Sequence, residues 1–70
     1  MDNATFVFFA SKTKRLRLRD QLRDWTGDAL RWSERKGLSG SEFSITGPPT
    51  LAREAHEAAV RWLAQEERGL

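Results

Sequence analysis

Five cations, Lys12, Lys14, Arg15, Arg17 and Arg19, crowd into eight consecutive positions with no acid among them, and Arg23 follows shortly after. The chemistry open to such a run is binding. Ammonium and guanidinium groups pair with carboxylates and phosphates, and phosphate contacts bring a strong salt dependence. If the run opens a helix, its charge opposes the positive end of the helix dipole, a conflict that an anionic partner relieves. Lys12, Lys14, Arg15, Arg17, Arg19 and Arg23 are therefore the candidate partner-binding residues, with an acidic protein surface or a nucleic acid as the anion. No glycine-aromatic RNA-binding run and no set of zinc ligands accompanies them.

A second candidate lies at two strand-to-helix junctions, Ser11-Lys12-Thr13-Lys14 and Thr46-Gly47-Pro48-Pro49-Thr50. In a parallel strand pair both junctions share one end of the sheet, where ligands of open α/β sheets bind. Lys12, Thr46, Gly47 and Thr50 would there hold a phosphate-containing small ligand at a helix N-terminus. The order of strand, Ala10-Ser11-Lys12-Thr13-Lys14 loop, helix and Ile45-Thr46-Gly47-Pro48-Pro49-Thr50 loop resembles the opening of methylglyoxal-synthase-like domains over about fifty residues. That resemblance implies a phosphate loop at 46–50. The chain departs from the pattern at Pro48 and Pro49, which lack the N–H groups a phosphate would use, and in lacking the acidic residue such enzymes carry after the first strand.

The chain holds no cysteine and one histidine, His56. Disulfides, thiolate zinc sites, a cysteine nucleophile and a His-rich metal site are excluded. His56 lies in an apolar helical arc with Ala52, Ala59, Val60 and Leu63, and no Ser or Asp at helical spacing supplies a partner. It reads as a packing histidine at the edge of the core. Asp20, Asp24 and Asp28 recur every four residues, but the arginines between them make exposed salt bridges the expectation. No nucleophile–base pair, metal cluster or paired carboxylates can be assembled, so the expectation is a non-enzymatic protein with no cofactor and no metal.

The elements that position these groups follow from apolar periodicity. Residues 5–10 form a strand that is apolar on both faces, with Phe6 and Phe8 on one side and Val7 and Phe9 on the other. Leu18, Leu22, Trp25, Ala29 and Trp32 step by four, three, four and three residues, the seam of a long helix that Arg35, Lys36 and Gly37 close. Residues 15–19 also alternate with period two, a strand pattern. The helix is preferred because Leu18 is in phase with the seam, although Leu16 is not. Residues 42–46 alternate as a half-exposed strand with Phe43 and Ile45 inward. Thr50 then caps a final helix from 51 to about 67 with a wide apolar face.

The expected fold is α+β: one domain, residues 1–70, built as a β-α-β-α unit with a parallel strand pair and two helices on one face. Seventy residues bury too little surface to be comfortable alone. Two strands are too few, and one face of the first stays bare. A second copy or a partner strand is expected to complete it, with Phe6, Val7, Phe8, Phe9, Trp25, Trp32 and Trp62 as packing and dimer residues. Formal charge is +2 overall, with nine Lys/Arg against five Asp/Glu in residues 1–40 and three against five thereafter. The beginning of the chain lacks a signal-peptide pattern and no apolar run approaches a membrane span, so a cytoplasmic protein away from the membrane is expected. The functional expectation is a small interaction or regulatory protein, such as an inhibitor, that grips an acidic macromolecule. The alternatives are a nucleic-acid-binding homodimer using residues 12–23 and a small-ligand binder at loops 11–14 and 46–50.

Overall fold

The computed structural model describes residues 2–68 in the order β1 (Ala4–Ser11), α1 (Arg15–Thr26), β2 (Arg31–Lys36), β3 (Gly40–Gly47) and α2 (Pro49–Arg68). The strands form one antiparallel sheet with β3 in the centre, flanked by β1 and β2. Both helices lie on the same face of it. The fold is α+β.

Register explains which residues face the helices. Phe6, Ile45 and Trp32 form one row across the sheet, and Phe8, Phe43 and Glu34 the next. Phe43 and Ile45 are fully buried beneath Leu18 and Leu22 of α1 and Ala52, Ala55 and Ala59 of α2. The ring of Phe8 stacks on Phe43 at 5.6 Å, and that of Trp32 tilts against it at 6.1 Å. The alanines let α2 approach the sheet closely, and an edge-to-face contact of Trp25 with Trp62 at 6.4 Å joins the helices. Between these rows, Thr5, Val7 and Phe9 of β1 alternate to the opposite face, as do Ser44 of β3 and Arg31, Ser33 and Arg35 of β2.

The expected helix through residue 36 is overturned. Gly27, the described residue with positive φ (51°), ends α1 and donates its N–H to the Arg23 carbonyl at 3.2 Å. That conformation is open to glycine at little cost and does not continue a helix. Leu30, not Ala29, then enters the core. Trp32 and Glu34 turn inward and Arg31, Ser33 and Arg35 outward, a period of two that suits a strand. Arg35 and Lys36 therefore end a strand rather than a helix. The parallel pair falls with it, since β1 and β3 run antiparallel. Residues 15–19 are helical, and Leu16 is 65% exposed. Thr50 is not the cap of α2. The Pro48 carbonyl already accepts the Ala52 N–H at 2.9 Å, so the helix starts at Pro49, a position where the missing proline N–H costs nothing.

A tight turn joins β2 to β3, closed by the Gly37 N–H on the Gly40 carbonyl at 2.7 Å. A side chain at Gly40 would collide with the Ala10 carbonyl oxygen and come within 2.7 Å of the Phe9 ring, whereas one at Gly37 meets only ordinary contact. Gly40→Ala is thus expected to cost about 1–3 kcal/mol and Gly37→Ala under 1 kcal/mol, read as the difference in urea midpoints. Equal midpoints for the two variants would contradict the close pairing of β1 with β3.

A candidate binding surface at the basic end of the sheet

The six cations singled out from sequence do not act as one patch. Arg19 reaches from α1 to the inward-facing Glu34 of β2, with Nε and Nη2 donating to its two carboxylate oxygens at 2.6 and 2.8 Å. The Ser41 hydroxyl adds a third hydrogen bond to that carboxylate at 2.6 Å, and Arg15 donates to the same hydroxyl at 3.4 Å. Glu34 is 10% exposed in its side chain and Arg19 23%. Arg17 pairs with Glu66 of α2 and lies over the Trp62 ring at 5.9 Å. Arg23 stands in solvent 3.9 Å from Asp20, a contact of little energetic weight. Arg17 and Arg19 therefore tie α1 to α2 and to the sheet.

Hydrogen bonds from Arg19 hold the Glu34 carboxyl at about 2, below its usual 4.5; burial opposes the shift, and Ser41 and the charges of Arg19 and Lys36 support it. Glu34 in turn raises the pKa of Arg19. A carboxyl whose folded value lies below its unfolded one adds stability that is complete above about pH 4.5 and is lost as pH falls toward 2.

Other cations gather instead at one end of the sheet. β1 finishes there at Ser11, paired with Gly40, and the Lys12 N–H bonds the Ser39 carbonyl at 3.3 Å. β2 finishes at the same end, so Arg35 and Lys36 join Lys12, Lys14 and Arg15 across some twenty residues of sequence. Arg35 and Lys36 belong to the surface that sequence reasoning missed, because residues 31–36 were assigned to a helix. The available signal was their period-two pattern ahead of the Gly37-Leu38-Ser39-Gly40 turn. Two apolar side chains stand among these cations: Phe9, 57% exposed on the open face, and Leu38, 96% exposed at the turn. Phe9, Arg35, Lys36, Gly37, Gly40 and Glu42 line a shallow depression of about 240 Å³. Glu42 sits opposite Arg35 in register, where the two charges offset.

The remaining candidates are scattered. Lys12 lies at the opposite end of the sheet from Thr46, Gly47 and Thr50, about 23 Å away along antiparallel strands. The shared phosphate site is thereby corrected, and with it the expectation drawn from methylglyoxal-synthase-like domains. Thr46 shares a hydroxyl hydrogen bond with Thr5 at 2.9 Å. Gly47 packs under Leu30. Phe6, Phe8, Trp25, Trp32 and Trp62 pack within the protomer, whereas Val7 and Phe9 are about half exposed. His56 is half-buried, stacked on Phe6 at 5.4 Å and edge-on to Phe8 at 5.7 Å. Among the described residues no group of three or more His, Asp or Glu gathers as metal ligands would, and no helix is long and apolar enough to cross a membrane.

Comparison with protein-family models, with curated proteins and with solved structures finds no match.

Glu34→Gln is expected to flatten the fall in melting temperature between about pH 4.5 and about pH 2 relative to the wild type. Parallel pH profiles for the two proteins would show that the Arg19 contact carries no pH-dependent stability.

Proposed function

We propose that this protein is a small non-enzymatic binding module that grips an acidic protein surface with the corner formed by Lys12, Arg35 and Lys36 around Phe9 and Leu38. The observation that carries the reading is the joining of two basic segments, distant in sequence, around two exposed apolar side chains. Cations alone would suit any polyanion. Exposed apolar anchors ringed by charge are how protein interfaces concentrate binding energy, the charges steering the encounter and the apolar groups slowing release. Covering an acidic surface of another protein is the act of a regulator or inhibitor. Lys14 and Arg15 add to the positive field at the start of α1, where the first turn holds no acid.

One observation favours a nucleic acid as a second reading. Phe9 shares the open sheet face with Arg31, Arg35 and the Ser33–Ser44 hydroxyl pair, a face on which a base could stack while arginines meet phosphates.

Titration with an aspartate-rich peptide and with a single-stranded oligonucleotide separates the two. The expected result is salt-dependent peptide binding that Lys36→Glu weakens roughly tenfold and Phe9→Ser weakens by a similar factor, with Arg23→Glu nearly neutral. Oligonucleotide binding in the absence of peptide binding would replace the leading reading with the second. Peptide binding lost equally in all three variants would remove the corner as the site.

A further inference from the structure

The geometry points to β1 as the seam of a symmetric dimer, in which β1 of one copy pairs antiparallel with β1 of a second and the two sheets fuse into one of six strands. This surface shares Phe9 with the basic corner but none of its cations. The two outer strands of the sheet are guarded very differently. β2 carries Arg31, Glu34, Arg35 and Lys36, the kind of charged edge that resists pairing with another strand. β1 reads Ala-Thr-Phe-Val-Phe-Phe-Ala-Ser, eight residues with no charge and no proline, and its outer backbone groups have no strand beside them. An uncharged strand can meet its own copy without repulsion. The faces also match, since a two-fold axis normal to the sheet keeps all four helices on one side.

The helix above this edge fits the same partner. α2 packs across both β1 and the adjoining β3, with His56 stacked on Phe6 and Phe8. Two α2 helices set either side of the fused strands would stand about 10 Å apart, the ordinary helix-packing distance. The flank they present centres on the half-exposed Val60, in a depression also lined by His56, Glu57 and Arg61. Glu57 has Arg53 four residues before it and Arg61 four after. In an antiparallel pair, a shift of one turn either way from Glu57 on Glu57 sets each glutamate against an arginine of the other copy. In that register Glu57 of each copy meets an arginine of the other. A strand edge about 27 Å long with one helix layer above it offers on the order of 500 Å² per copy, near the lower bound for a specific interface. The resulting dimer is of moderate affinity, and its two basic corners point to opposite ends of the six-stranded sheet.

Sedimentation equilibrium of the full chain tests this with charge variants at Val7, which is 52% exposed, so that the protomer fold tolerates the change. The wild type is expected to show a concentration-dependent dimer. Val7→Lys and Val7→Glu are each expected to be monomeric with helical content retained, and an equimolar mixture of the two to restore the dimer, because in a seam centred on Val7, near the middle of β1, unlike charges then face each other. Lys36→Glu is expected to dimerise as the wild type does, which keeps this test independent of the basic corner. A wild type that stays monomeric at millimolar concentration overturns the proposal, as does a Val7→Lys protein that still dimerises. A mixture that remains monomeric overturns it too, since each folded variant is then blocked for a reason other than charge at the seam.

Discussion

Everything in this molecule depends on one-sided coverage of a three-stranded sheet. Both helices lie on the face bearing Phe8, Phe43 and Ile45, and among the described residues no element covers the other face. The central strand then reads Phe43 and Ile45 toward the helices and Glu42, Ser44 and Thr46 away from them, with hydroxyl pairs to Ser33 and Thr5. The open face is polar at its centre and carries apolar side chains along β1. That division gives the molecule a covered face and an open face.

The same constraint sorts the cations. Arg19 is drawn to the covered side because Glu34, facing inward from an edge strand, needs a partner close by; the two hydrogen bonds to one carboxylate satisfy both groups. Arg17 spans the gap between the helices to Glu66 and Trp62. Lys12, Arg35 and Lys36 are exposed at the end of the sheet, where β1, β2 and the start of α1 meet, and Arg23 and Arg31 are exposed elsewhere. Position in the fold thus decides which cations tie its elements together and which face solvent.

Much of the fold was legible. The two-sided apolar character of β1, the alternation around Phe43 and the apolar arc of α2 each follow from spacing alone. The middle of the chain was not legible, for a physical reason. Trp25, Ala29 and Trp32 continue a helical phase through Gly27, and the phase ends only because Gly27 takes a positive φ, which periodicity does not register. Once the helix stops, Trp32 reaches the same core from a strand. The misassignment moved Arg35 and Lys36 out of the candidate site and placed two loops together that antiparallel pairing sets apart. It also hid Glu34, whose role depends on facing inward beneath Arg19.

The most direct measurement is the broadening of NMR signals by a soluble paramagnetic agent. The account predicts strong broadening of the Val7 methyl and Phe9 ring signals, with the Ile45 methyl and the Phe8 and Phe43 rings unaffected. Val7 and Phe9 protected as fully as Ile45 in dilute protein would contradict it, since the sheet would then be covered on both faces.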